Sequence, residues 1–130
     1  MSRKHPIIAV TGSSGAGTST VMKSFQHIFR RDGIRAGVIE GDAFHRYDRL
    51  GMREAMRAAH ASGNINFSHF GPEANLLVEL ERSFASYAES GQCTTRKYLH
   101  NAEEAAPYKK PPGTFTGWEE LEDATDLLFY

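Results

Sequence analysis

One stretch limits the architecture of this chain more than any other: Gly12-Ser13-Ser14-Gly15-Ala16-Gly17-Thr18-Ser19-Thr20, set between a short apolar run and an amphipathic one. It fits the phosphate-loop pattern G-x-x-x-x-G-x-[ST], which has meaning only between a strand and a helix. That context is present. Ile7–Val10 reads as a buried strand, and from Ser19 the apolar residues Val21, Phe25, Ile28 and Phe29 recur with helical spacing. Gly33, after Arg30 and Arg31, reads as the helix stop, and Arg35–Glu40 reads as a second strand. Strand, loop, helix and strand in this order predict an α/β fold built on a parallel sheet.

Further along, Arg53–Ala61 reads as a helix. Pro72 suits the first position of another, whose apolar stripe is Leu76, Leu77, Leu80, Phe84 and Tyr87. Thr94–Leu99 and Leu127–Tyr130 read as strands, and Ala102–Gly117, with three prolines, as loop. The last strand stops without a polar exit, so the chain is expected to be truncated, with the remainder of one domain beyond residue 130. As it stands, that strand is expected to form an unpaired, apolar sheet edge.

At 130 residues, 40% hydrophobic and 24% charged, the chain has the balance of one soluble domain or part of one. Its net charge of −1 hides a basic front half, which suits small anions and is too mild for a nucleic-acid arm. Cys93 stands alone, which excludes an intramolecular disulfide. The start carries too short an apolar run for a signal peptide or a membrane span, so a cytoplasmic location is expected. His5, His27 and His60 are scattered and suggest no metal site; His69 reads as packing. Glu119, Glu120, Glu122, Asp123 and Asp126 read as a solvated face, and Trp118 has no legible role.

The chemistry concentrates at two places. In the loop, glycines let backbone N–H groups curl inward, and the following helix adds the positive end of its dipole. Ser19 stands where a hydroxyl ligates Mg²⁺, while Thr18 occupies the position usually held by lysine. The missing charge must come from elsewhere, from Lys97 or from a lysine past residue 130. Just after the second strand, Glu40-Gly41-Asp42-Ala43-Phe44-His45-Arg46 places a carboxylate where an acceptor hydroxyl needs a base. His45, Arg46 and Arg49 supply cations beside it. Taken alone, Asp42 reads equally well as a turn residue or a helix cap.

Gly12–Thr20, Glu40–Arg46 and Phe67-Ser-His-Phe-Gly-Pro-Glu-Ala-Asn75, in this order, resemble bacterial-type phosphoribulokinase, Thr18 included. The resemblance runs the length of the chain. It implies a P-loop kinase domain with a mostly parallel sheet flanked by helices, like the nucleoside-monophosphate kinases, of which residues 1–130 would be the N-terminal part. It also implies transfer of the ATP γ-phosphate to D-ribulose 5-phosphate, with Mg, in the Calvin cycle. Carried over by position, Asp42 would be the base and Gly12–Thr20 the ATP loop. His45 and Arg49 would hold the sugar phosphate, with Tyr98 and His100 in a second substrate-facing segment. Arg31 would belong to an effector site for NADH, although a cation in a helix's last turn is favourable without a ligand. A homo-octamer is implied as well. The alternatives are a related kinase acting on a nucleoside or pantothenate, and a nucleotide-binding module without catalysis.

Overall fold

The computed structural model describes residues 3–13, 15–122 and 124–130. Its elements run β1 (Ile7–Ile8), α1 (Thr18–Arg31), β2 (Ala36–Val38), a 3-10 turn (Gly41–Phe44), α2 (Arg49–Ala61), α3 (Leu77–Ser90), β3 (Thr94–Thr95), α4 (Ala102–Ala105), a second 3-10 turn (Ala106–Tyr108), β4 (Glu119–Glu120) and β5 (Leu127–Phe129). They divide into two compact units. The first comprises residues 1–39, 82–95 and 120–130; the second comprises residues 40–81 and 96–119.

In the first unit the sheet order is β1-β5-β2, with both pairings parallel. Ile8 and Val38 both stand opposite Phe129. Val10 N–H donates to Tyr130 O at 2.8 Å and Ile39 N–H to Phe129 O at 2.9 Å, which carries the pairing beyond the regular ladder. The last strand is therefore central, contrary to the expected bare edge. All three of its residues are buried, as a strand covered on both faces requires. The expected strand–helix–strand unit holds, but its two strands are not neighbours; β5 lies between them.

The helix packs on this sheet through a narrower face than its spacing suggests. Phe25, Phe29 and Phe129 form an aromatic trio with centroids 5.1 to 5.7 Å apart, joined by Met22, Ile8 and Ile34. Val21 and Ile28, expected on the apolar face, stay more than a third exposed. Truncating a buried phenylalanine of this kind costs about 3–5 kcal/mol, so Phe129→Ala would dismantle the sheet. Gly33, at φ 67°, ends α1 as expected. Asp126 is more than solvated surface: its Oδ2 accepts from Arg35 N–H at 2.7 Å. Cys93 is buried, and burial pushes its thiol up to about 11, so it behaves as a small hydrophobe. Tyr87 is fully buried and satisfied by Thr125 Oγ1 at 2.8 Å.

The second unit is built on loops pinned at both ends. Residues 44–46 lie antiparallel to residues 74–76. Leu76 N–H donates to Phe44 O at 2.7 Å and Arg46 N–H to Ala74 O at 2.8 Å. Pro72 does not start α3; it sits in the turn before this pairing, and the helix begins only at Leu77. Leu77 is consequently half exposed. Helix α2 starts four residues earlier than expected because Asp48 caps it, its carboxylate accepting from Gly51 N–H at 2.8 Å. The expected loop at 102–117 contains α4, capped by Asn101, whose Oδ1 accepts from Glu104 N–H at 2.9 Å.

Candidate active site

In the first unit, the glycine loop leaves β1 and enters α1 with Gly15 and Gly17 at φ 80° and 87°. A side chain is strained at these angles, which explains glycine at Gly17, the cap of α1. Having no side chain, Gly17 leaves the first turn of the helix without a side-chain cap. Thr20 and Val21 N–H donate to its carbonyl at 3.0 and 3.1 Å. Gly12, Ser13, Gly15, Ala16, Ser19 and Thr20 are exposed, and Thr18 is the first helical residue. Ser14, which belongs to the predicted loop, lies outside the described residues, as does Asp123. At the far end of α1, Arg31 is held by its neighbour: Nε and Nη2 donate to the two Asp32 carboxylate oxygens at 2.8 and 3.1 Å.

The second unit brings together five of the predicted residues: Asp42, His45, Arg49, Tyr98 and His100. Asp42 lies in the 3-10 turn following β2. Its Oδ1 is 3.1 Å from His45 Nε2 and its Oδ2 is 2.8 Å from His100 Nε2. The bond from His45 is the main force holding the Asp42 carboxyl down at about 2, with His100 adding to it against the opposing effect of burial. The bond to Asp42 raises the His45 pKa in turn. At His100 burial lowers the pKa, but the bonds to Asp42 and to Glu104, 3.0 Å from Nδ1, together outweigh it. Tyr98 presents its ring edge-on to both imidazoles, 4.9 Å from His100 and 6.5 Å from His45.

A cleft of about 400 Å³ opens beside this cluster, lined by Asp42, His45, Arg49, Arg53, His69 and Tyr98, among others. Arg49 is the first residue of α2, and Arg53 follows one turn later on the same face. The Arg49 Nη2 donates to His100 O at 2.8 Å, which aims the guanidinium across the site. His69 is exposed and lines the cleft, where packing was expected. Arg46 turns aside, its Nε donating to Glu73 O at 3.1 Å. Lys97 is exposed, and its backbone is held by Thr116.

Comparison with known proteins shows which family the chain belongs to. The sequence pattern of the phosphoribulokinase / uridine kinase family matches residues 7–130. This chain belongs to that family. Across all 130 residues it is 60% identical to the chromosomal phosphoribulokinase of Cupriavidus necator and 57% identical to the phosphoribulokinase of Nitrobacter vulgaris. A solved structure of phosphoribulokinase from Rhodobacter spheroides superposes with a TM-score of 0.87 at 50% identity, over 99% of this chain and 43% of the other. The chain spans 44% of the length of the C. necator relative and 45% of the N. vulgaris one.

Within the family fold, three further residues shape the cluster, and sequence reasoning did not single them out. Arg96 donates from Nε to Ala43 O at 2.8 Å and from Nη2 to His45 O at 2.6 Å. Its guanidinium lies 3.6 Å over the Phe115 ring and 4.5 Å over Trp118, which gives Trp118 its role. Asn75 and Glu104 are the outer partners of the two imidazoles. Glu104 had a legible signal, since Asn101-x-x-Glu104 is a helix-start pattern. Asn75 closes the Phe67–Asn75 motif but its pairing with His45 was not legible, and Arg96 had no signal, because their partners lie 30 and about 50 residues away.

Proposed function

We propose that this chain carries the acceptor site and the ATP loop of a kinase that transfers the ATP γ-phosphate to D-ribulose 5-phosphate, giving ribulose 1,5-bisphosphate and ADP. The observation that carries the reading is the Asp42 carboxylate, held between two imidazoles on a cleft that Arg49 and Arg53 also line. An ionised carboxylate can accept the proton of a sugar hydroxyl, and paired guanidiniums suit a sugar phosphate. The low Asp42 pKa is compatible with this role. Phosphoryl transfer passes through a loose transition state in which the hydroxyl proton leaves late, so orienting the nucleophile matters more than base strength.

In the same reading Gly12–Thr20 cradles the ATP phosphates through backbone N–H groups, and Ser19, exposed in the first turn of α1, offers its hydroxyl to Mg. Bound there, Mg would neutralise charge on the phosphates. His45, Arg49, Tyr98 and His100 orient the sugar phosphate. Arg31 as a contact for an NADH effector, a homo-octameric assembly, a place in carbon fixation and a cytoplasmic location belong to this proposal on the resemblance alone. No helix among the described residues is long and apolar enough to cross a membrane.

The test is ADP release by the full-length protein with MgATP and, side by side, ribulose 5-phosphate, uridine or pantothenate. Turnover at least 10²-fold higher with ribulose 5-phosphate is expected, because a site built to pair a phosphate strongly rejects acceptors lacking one. Preference for uridine or pantothenate would reassign the substrate, and no ADP from any of the three would leave a binding module.

A further inference from the structure

The protonation of His45 follows from the amide that faces it. Asn75 Nδ2 lies 2.8 Å from two backbone carbonyl oxygens, those of His69 and Gly71. A carbonyl oxygen only accepts, so this end of the amide must be the amino group, and both its hydrogens are used. The other end, Oδ1, is 2.8 Å from His45 Nδ1 and has no hydrogen to give. His45 Nδ1 must therefore donate. The second ring nitrogen, Nε2, faces a carboxylate oxygen of Asp42 at 3.1 Å, again an acceptor. An imidazole with an acceptor at each nitrogen is fully bonded only as the imidazolium.

His100 repeats the pattern with different partners: Asp42 Oδ2 at 2.8 Å from Nε2 and Glu104 Oε2 at 3.0 Å from Nδ1. Glu104 is itself fixed, because the same oxygen accepts from His100 N–H at 2.9 Å and its own N–H is capped by Asn101.

We infer that Asn75 and Glu104 are positioning residues that fix His45 and His100 as cations, so that Asp42 works between two imidazolium donors and the cleft, which His45 lines, meets its acceptor with a charged ring. Asn75 does this without adding a negative charge, so the carboxylate that faces the His45 cation is that of Asp42. Glu104 instead offsets the charge of His100. The groups facing His45 are Asp42, Asn75, the Tyr98 ring and Arg96 on its carbonyl; those facing His100 are Asp42, Glu104, the Tyr98 ring and Arg49 on its carbonyl. Arg96 opposes protonation of His45, and the Asp42 bond outweighs it.

This rests on the proposed kinase reading for the identity of the anionic acceptor, while the protonation of the rings can be read without it. The experiment is ¹⁵N NMR of histidine-labelled, unliganded full-length protein across pH, comparing wild type, Asn75→Ala and Asn75→Asp. Asparagine-to-alanine removes the acceptor at Nδ1 and is expected to lower the His45 midpoint by about one pH unit. Asn75→Asp keeps an acceptor for Nδ1 while giving up the bonds to residues 69 and 71, and is expected to hold the midpoint at or above the wild-type value. With ribulose 5-phosphate, the pH at which its KM begins to rise should move down in Asn75→Ala and not in Asn75→Asp, with the KM for ATP unmoved.

A His45 midpoint unchanged in Asn75→Ala, or lowered equally in both variants, overturns the inference and leaves Asn75 a loop tether. If Asn75→Ala does not fold, Glu104→Ala makes the same test on His100, whose midpoint must then fall. Should the NMR midpoints behave as expected in a protein that does not phosphorylate ribulose 5-phosphate, the substrate reading fails and the positioning role stands.

Discussion

His100 Nε2 sits 2.8 Å from Asp42 Oδ2, tying the turn after β2 to a segment 58 residues later in the chain. Both partners titrate, and with opposite signs. The Asp42 carboxyl is held at about 2 against an ordinary 3.8, so its stabilising effect is complete above about pH 4 and is lost as pH falls toward 2. His45 and His100 are raised above 6.5, so their effect is complete below that value and is lost as pH climbs through their folded-state pKa values.

The stability difference between wild type and Asp42→Asn should therefore be largest between about pH 4 and 6.5 and shrink on both sides. Because the Asp42 side chain is half exposed, solvent screening limits the difference to about 1 kcal/mol. Chemical denaturation at a series of pH values reads it directly, and a flat difference would remove the imidazole–carboxylate pairing as a source of stability.

Gly113 governs the placement of Arg49. Its φ is 81°, and a Cβ there would lie 2.9 Å from the Arg49 Cβ and 3.0 Å from its Nε, while Arg49 N–H donates to Gly113 O at 2.9 Å. Gly113→Ala should destabilise the protein by about 1–2 kcal/mol through the left-handed backbone alone. It should also push the guanidinium out of line, raising the KM for ribulose 5-phosphate several-fold more than that for ATP. Equal effects on both KM values would mean that Arg49 does not serve the sugar phosphate.

Arg96 holds the backbone at Ala43 and His45 with a fork that lysine cannot reproduce. Arg96→Lys should lower stability by about 2 kcal/mol, with loss of the stacking on Phe115 and Trp118 included. Trp118 is the single tryptophan of the chain, so its fluorescence in Arg96→Lys reports the loosening. An unshifted emission and an unchanged denaturation midpoint would show the clamp to be dispensable.

Local pattern carried much of this fold. The glycine loop between a β-rich run and an amphipathic one announced β1, α1 and the glycine turn between them, and Asp42 was legible from its place after β2. What local pattern does not encode is which strand pairs with which. The position of β5 between β1 and β2 depends on contacts more than 80 residues apart, so its apolar residues looked like an edge when they form the centre. Val21 and Ile28 repeat at helical spacing but fall beside the contact face, because the sheet accepts only the stripe through Met22, Phe25 and Phe29. At the candidate site the residues that line the cleft beside Asp42 were largely legible, whereas most of the contacts that orient them were not. Asn75 and Arg96 act on partners brought close only by tertiary structure.

The central claim is that Asp42 is the base for the acceptor hydroxyl, and the most direct test is turnover and MgATP binding in full-length Asp42→Asn. Asparagine keeps the size of the side chain and removes its capacity to take the proton. The account predicts a fall in kcat of about 10²–10⁴-fold, with MgATP affinity by isothermal titration unchanged, since the phosphate loop is untouched. Near-normal turnover in this variant would contradict the account and leave Asp42 only a structural anchor for the two imidazoles.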